Sequence, residues 1–292
     1  MNRVTFLSIA IVILVILLVL LEQNRYDLPR IIWAYWHDTD IPKDVKQILD
    51  HRQRILTSWT FIILTDSTID QYVSGKPTNF DTLRESHKSD WLRLALLKKY
   101  GGCWMDASII VNSESAFEQL YQDTINSKAD FTGFYTPRSI IRNDPKTFVE
   151  SWFIMAPRRS PVIQAWYNEF TRAITIGLLP YRKEIEAKYP GMINNHIYNK
   201  EKPDDVYLTV YACAQVVLHT RNDRVLLLDS SKTMYRLHEL CWNVEKKDYD
   251  SECIVKKIRD DPATKQIPYI KLTHAQRKYF DSIDISDYFK AK

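Results

Sequence analysis

The 292-residue sequence has only six glycines and four cysteines, and it lacks several patterns that would define other classes of protein. None of the cysteines forms a Cys-x-x-Cys pair, which argues against a zinc site. The net charge is only +4 and is spread along the chain, so no nucleic-acid partner is indicated. Because no proline-, glycine- or serine-rich linker interrupts residues 30–290, we expect one domain rather than two.

The cellular compartment is left open by the sequence. It contains no Asn-x-Ser/Thr acceptor, so there is no glycosylation signal that points to a secretory lumen. Cys241 and Cys253 flank a polar loop and would form a disulfide in an oxidising compartment.

One long apolar run lies near the start of the chain, at residues 4–21. A helix of that length spans roughly 27 Å, which is enough to cross the hydrocarbon core of a membrane. A cleaved signal peptide is the alternative, but its apolar region would be shorter, about 7–15 residues, and would end in small residues. We therefore predict an uncleaved single-pass anchor over residues 1–23 and a short tether over 24–29. The orientation of this anchor stays open, because basic residues flank the run on both sides. The expected location of the domain is the Golgi lumen if the protein is eukaryotic and the cytosolic face of the membrane if it is bacterial.

Strand-like and helix-like segments alternate beyond the tether. The pattern predicts strands at 31–36, 59–64, 103–105, 108–111, 130–134, 151–155 and 225–228, and helices at 42–54, 68–73, 84–100, 116–121, 161–176 and 206–218. This alternation is typical of an α/β fold with a mostly parallel central sheet. We expect residues 30–292 to form that domain.

The most informative stretch is residues 99–109, where a helix stops on Gly101 and Gly102 and a strand then ends at Asp106. Adjacent glycines in so glycine-poor a chain suggest a backbone requirement, since glycine adopts positive φ after a helix. An acid at the end of a strand lies at the edge where α/β proteins bind ligands. Asp90 and Arg93 share one face of the preceding helix. They form either a structural ion pair or, together with Asp106, one ligand site.

Three segments carry a resemblance to a known enzyme family; they are residues 29–36 (PRIIWAYW), 89–93 (SDWLR) and 97–106 (LKKYGGCWMD). The series resembles the central motif of the DXD-containing sugar transferases, which include yeast initiating mannosyltransferases, bacterial capsular polysaccharide synthesis proteins and, more distantly, glucosylating clostridial toxins. The capsular polysaccharide branch is the most similar, because it has a Gly-Gly-x-Trp-x-Asp-Ala pattern and a Lys-Leu-Thr near its end, which residues 271–273 match. The similarity covers residues 29–111 and is thin downstream.

The resemblance implies a Rossmann-like GT-A domain that transfers a hexose from a UDP- or GDP-sugar to a glycan or glycolipid with retention of anomeric configuration. In that scheme Trp36 stacks on the base, Asp90 and Arg93 hold the donor sugar and act in catalysis, and Asp106 takes the first acidic position of the DXD motif. The implied cofactor is Mn²⁺ or Mg²⁺, and the implied partners are the nucleotide sugar, the acceptor and, through the anchor, a membrane.

The sequence departs from the DXD pattern at Ser108, which stands where the second acid is expected. Hard cations prefer carboxylate oxygens, so this change weakens the predicted metal and diphosphate site formed by Asp106 and Ser108. His274 is a candidate additional metal ligand, or else an ordinary surface residue. Ser108 also motivates an alternative function, a catalytically inactive relative that binds glycans or assembles with a membrane complex.

Two adjacent acids in the second half of the chain have two possible roles. Asp204 and Asp205 either serve the acceptor side of the site or cap the helix predicted from residue 206.

Overall fold

The computed structural model describes residues 9, 11–15, 26–246, 248–280 and 282–290. Within these ranges no helix has both the length and the apolar character needed to cross a bilayer. The predicted anchor at residues 1–23 lies largely outside the described residues, so it stays a prediction.

Strands and helices alternate along the described chain, as the sequence predicted. The strands are β1 (Ile31–Tyr35), β2 (Thr60–Leu64), β3 (Gly102–Met105), β4 (Ile109–Val111), β5 (Phe131–Tyr135), β6 (Val149–Ala156), β7 (Val225–Asp229), β8 (Trp242–Asn243), β9 (Asp248–Tyr249) and β10 (Tyr269–Lys271). The helices are α1 (Lys43–Ile55), α2 (Ile69–Tyr72), α3 (Glu85–Tyr100), α4 (Glu114–Asn126), α5 (Pro161–Ile176), α6 (Leu178–Lys188), α7 (Thr209–Thr220), α8 (Arg236–Leu240), α9 (Ser251–Asp260) and α10 (His274–Arg277). This order confirms the α/β class.

Six strands form the central sheet in the order β2-β1-β3-β6-β5-β7. Strand β1 is parallel to β2 and to β3, and β5 is parallel to β7. Strand β6 is antiparallel to both β3 and β5, so it runs against the other five. The prediction of a mostly parallel sheet is therefore confirmed, with β6 as its exception.

Helices cover both faces of the sheet, because the side chains of its central strands alternate between two cores. Trp104 of β3 packs in one core with Trp91 of α3 and Trp166 of α5. Met105, the next residue, packs in the other core with Phe117 of α4. Period-two alternation between two apolar cores explains why these strands are almost continuously apolar in sequence.

The double glycine joins α3 to β3 at a point where no side chain fits. Gly101 has a φ of +68° and Gly102 a φ of +97°. A Cβ on Gly101 would lie 2.6 Å from the Arg158 nitrogen, and one on Gly102 would lie 2.6 Å from the Ile31 carbonyl oxygen. The two glycines therefore allow the close packing from which β3 carries Asp106 to the edge of the sheet.

The C-terminal segment returns to that edge by pairing with β4. Strand β10 is antiparallel to β4, with Lys271 opposite Ile109. The Leu272 amide also donates to the Ser108 carbonyl oxygen at 3.0 Å. This pairing brings Lys271 next to the residues that follow Asp106.

A disulfide joins Cys241 and Cys253, whose Cα atoms lie 5.8 Å apart. It ties the end of α8 to the first turn of α9. Cys103 and Cys213 are buried free thiols.

Candidate functional site

A cavity of about 620 Å³, the central cavity, opens at the carboxyl ends of β1 and β3. Because these strands are parallel, the residues that follow them leave the sheet at the same edge. Helix α3 runs beside this edge and contributes its first three turns to the wall. The central cavity gathers most of the site residues predicted from the sequence, namely Trp36, Asp90, Arg93, Asp106, Ser108 and His274.

Four charged side chains meet on one wall of the central cavity. Arg93 Nη2 lies 3.1 Å from Asp90 Oδ1 and 3.6 Å from Asp106 Oδ1. Lys271 Nζ lies 2.9 Å from Asp106 Oδ2. We call these four residues the charged cluster. Its geometry answers the main question left by the sequence, because Asp90, Arg93 and Asp106 share one site.

The guanidinium of Arg93 is held in place by several groups besides the two carboxylates. It donates to the Ser89 hydroxyl at 3.0 Å and to the Ser151 hydroxyl, and its Cζ lies 5.1 Å from the centre of the Trp104 ring. The side chain is buried. Arg93 is therefore a fixed cation, which costs little reorganisation when negative charge develops beside it.

The two carboxyl groups of the charged cluster have opposite pKa shifts. Burial raises the pKa of Asp90 to about 7, although Arg93 acts against that rise. Burial also acts to raise the pKa of Asp106, but the charges of Lys271 and Arg93 outweigh it and lower that pKa to about 2. Asp106 is thus a permanent carboxylate, whereas Asp90 can hold or release a proton near neutral pH.

The predicted metal ligands do not fit a divalent ion in this arrangement. Lys271 Nζ donates to Asp106 Oδ2 at 2.9 Å and to Ser108 Oγ at 2.8 Å, while Trp104 Nε1 donates to Asp106 Oδ1 at 3.0 Å. Among the described residues no group of three His, Cys, Asp or Glu side chains is placed to hold a metal. A divalent ion about 4 Å from the Lys271 ammonium would also be repelled by about 8 kcal/mol at an effective dielectric constant of about 20.

His274 and Trp36 lie toward the mouth of the central cavity. His274 is exposed at the start of the short helix α10. Arg277 Cζ, from the same helix, lies 5.6 Å from the centre of the Trp36 ring. A flat ligand that stacks on Trp36 would therefore meet a guanidinium close to it.

The acids predicted for the acceptor side lie outside the central cavity. Helix α7 begins at Thr209 and not at 206, and its cap residue Leu208 makes no side-chain cap bond, so the capping reading was wrong. Asp205 instead accepts a bond from the Tyr207 amide at 3.0 Å. Tyr207 lines the central cavity, so Asp205 contacts a lining residue without lining the cavity itself. Asp204 does not line the cavity either.

Several lining residues had no predicted role. Lys271 carried a signal, because it begins the Lys-Leu-Thr match at residues 271–273 and directly follows two apolar residues. Ser151 and Tyr211 carried none, since they come from β6 and α7, far along the chain from the motif. The Tyr211 hydroxyl donates to the buried Glu150 carboxylate at 2.8 Å, which fixes it in the cavity wall.

An α/β sheet with a charged cavity at the carboxyl ends of its parallel strands is a ligand-binding α/β architecture. The chain belongs to the capsular polysaccharide synthesis protein family, whose profile matches residues 17–172.

One relative and two solved structures illustrate the similarity. An O-glycosyltransferase named PaGT, from Phomopsis amygdali, is 27% identical over 161 residues, which is 49% of this chain and 38% of that protein. The matched region thus spans well under half of that relative. The UDP-bound glycosyltransferase domain from the YGT toxin aligns with 88% of this chain and 89% of its own, at a TM-score of 0.42 and 11% identity. A glycosyltransferase involved in glycosylation of the major capsid of PBCV-1 aligns with 88% of this chain and all of its own, at a TM-score of 0.38 and 9% identity.

Proposed function

We propose that this protein is a glycosyltransferase with a GT-A fold, and that it moves a hexose from a nucleoside-diphosphate sugar to a glycan or glycolipid with retention of anomeric configuration. The observation that carries this proposal is the convergence of Trp36, Asp90, Arg93 and Asp106 on the central cavity. Its volume of about 620 Å³ lies within the range of small-molecule sites. The similarity to an O-glycosyltransferase supports the same reaction class.

The charged cluster supplies what this reaction needs. When the bond between the sugar and the diphosphate breaks, its electron pair stays on the phosphate oxygen, and fixed cations stabilise that charge. Arg93 and Lys271 are buried and held, so they stabilise it without reorganisation. The anomeric carbon becomes electron-poor at the same moment, and we assign Asp90, which lines the central cavity, to face it. Trp36, at the mouth, provides a ring on which the base stacks.

A donor screen tests the proposal. The purified protein is incubated with UDP- and GDP-sugars, with and without added Mn²⁺, and the released nucleoside diphosphate is measured by mass spectrometry. We expect release from at least one donor and a loss of about 100-fold or more in Asp106→Ala, because that carboxylate orients both cations of the site. Asp81→Ala is the matched control, since Asp81 is exposed and outside the central cavity.

The alternative function, a non-catalytic glycan-binding relative, rested on the missing acid at position 108. In this chain Ser108 has a specific partner, the Lys271 ammonium at 2.8 Å, so the substitution is accommodated within an intact charged cluster. Donor binding without release of nucleoside diphosphate under any condition would favour the alternative.

The apolar run at residues 4–21 adds a proposal about location. An anchor there places the site beside a membrane, which suits a lipid-linked acceptor. Sedimentation of the full chain with membranes, and its release on deletion of residues 1–23, tests this part separately.

A further inference from the structure

We propose that Lys271 is the fixed cation of the diphosphate site, in the place expected for a divalent metal, so that donor cleavage proceeds without metal. This inference rests on the proposed transferase function and deepens it. It assigns a catalytic role to a residue outside the 29–111 motif, in a segment that follows it by more than 150 residues.

Lys271 lies where the predicted metal ligands meet. The Lys271 ammonium bridges the two side chains that correspond to the ends of the DXD motif, at 2.9 Å from Asp106 Oδ2 and 2.8 Å from Ser108 Oγ. A hydroxyl at 108 is a good acceptor for an ammonium and a weak ligand for a hard cation. Ser108 is therefore better suited to accept a hydrogen bond from Lys271 than to bind a divalent metal.

The charge of Lys271 also matches the change at position 108. A site with two carboxylates and one divalent cation has a net charge of zero. Replacing one carboxylate by Ser108 and the divalent cation by the Lys271 ammonium also gives zero. The substitution at 108 thus conserves the charge balance only when a monovalent cation takes the place of the metal.

The Lys271 ammonium is within reach of a ligand in the central cavity. Lys271 is buried but lines the central cavity, so its ammonium borders the space in which a ligand would lie. An ammonium has three N–H donors, and the described residues accept two of them. One donor is left for a phosphate oxygen. Arg277 lines the same cavity and supplies a second cation for the far end of the diphosphate.

The reaction balances without a further component. The acceptor hydroxyl oxygen forms a bond to the anomeric carbon, and the bond from that carbon to the phosphate oxygen breaks with its electron pair on the phosphate. The hydroxyl proton passes to the departing phosphate. Lys271 keeps its own protons throughout and donates a hydrogen bond to the oxygen that gains charge.

The first experiment measures release of nucleoside diphosphate by the full chain in EDTA and in Mn²⁺, together with Mn²⁺ binding by electron paramagnetic resonance in the presence of UDP or GDP. We expect the rates in the two conditions to agree within about twofold, since no metal takes part. We also expect the resonance spectrum to show only the complex of Mn²⁺ with free nucleotide and no Mn²⁺ bound to the protein. Loss of activity in EDTA with recovery in Mn²⁺, or a protein-bound Mn²⁺ signal, overturns the inference and leaves the proposed function standing.

The second experiment uses variants. Lys271→Ala should lose about 100-fold or more of the metal-free rate, whereas Lys278→Ala, which removes an exposed lysine of the same segment, should not. The double variant Ser108→Asp with Lys271→Ala restores two carboxylates and should bind Mn²⁺ and regain activity only with metal. Circular dichroism and thermal melting report whether each variant is folded.

The outcomes separate the two claims. Full metal-free activity in a folded Lys271→Ala protein overturns the inference alone, as does a double variant that is folded yet binds no Mn²⁺. If neither UDP nor GDP binds wild-type protein by calorimetry in EDTA or in Mn²⁺, the proposed function fails and the inference fails with it.

Discussion

Replacing Asp90 by Asn distinguishes the two hypotheses for the Asp90–Arg93 pair. The variant should be less stable than wild type if the pair is a structural ion pair, and at least as stable if Asp90 is a functional carboxylate. Burial raises the pKa of Asp90 to about 7 from 3.8. A carboxyl whose pKa is higher in the folded state stabilises the fold while it is protonated. That contribution is lost as the pH rises from about 4 through 7.

The magnitude follows from the two pKa values. Proton linkage gives a cost of about 4 kcal/mol for ionised Asp90 at pH 8, and below about 2 kcal/mol at pH 5. The difference of roughly 2–3 kcal/mol corresponds to a change of about 4 °C in the melting temperature of a chain of this size. An amide at position 90 still accepts a bond from Arg93 and does not ionise. The low pKa of Asp106, about 2, acts only below pH 4 and stays outside this range.

The assay is thermal melting of wild type and Asp90→Asn between pH 5 and pH 8. We expect wild type to lose about 4 °C more than the variant over this range, since the buried histidines titrate in both proteins and cancel. At pH 8 the variant should be at least as stable as wild type, yet its donor cleavage should fall by about 100-fold or more. Asp81→Asn is the control, because Asp81 is exposed. Parallel pH profiles, with the variant destabilised by the roughly 3–5 kcal/mol typical of a broken buried ion pair, would refute this reasoning.

Three further predictions concern the backbone, the disulfide and the base. Gly102→Ala should lower the free energy of unfolding by about 2–4 kcal/mol, because its φ is positive and the added Cβ would clash with the Ile31 carbonyl. Gly191→Ala should cost only about 1–2 kcal/mol, because no described atom lies within 4 Å of the added Cβ. Denaturant titration measures both values. Cys241→Ser should cost about 3 kcal/mol and abolish the effect of dithiothreitol on the melting temperature, and an equal effect of reductant in both proteins would contradict the disulfide. Trp36→Ala should weaken nucleoside-diphosphate binding by about 1–3 kcal/mol in calorimetry, while Trp242→Ala, outside the central cavity, should leave it unchanged.

The part of the site that was predictable is the part encoded locally. The helix that ends on Gly101, the strand that follows and the acid at its end lie within about twenty residues, so turn chemistry and apolar pattern suffice to place them. Strand β1 was equally clear, since its apolar run is bounded by Pro29 and a polar loop. These elements alone bring Trp36 and Asp106 to one edge of the sheet.

The remainder depends on contacts between distant parts of the chain. The pairing of β10 with β4 puts Lys271 against Asp106, 165 residues away, and no local pattern specifies that register. The reversed direction of β6 is equally invisible, because a strand buried on both faces reads the same in either direction. For this reason the metal site predicted from Asp106, Ser108 and His274 lacked its most important neighbour.

A crystal structure of the full chain with UDP or GDP, grown in EDTA, tests the central claim most directly. We predict a diphosphate in the central cavity, with a phosphate oxygen about 3 Å from Lys271 Nζ and the base on the Trp36 ring. A nucleotide bound at another surface, or one that enters this cavity only with a metal ion that displaces Lys271 from Asp106, would contradict it.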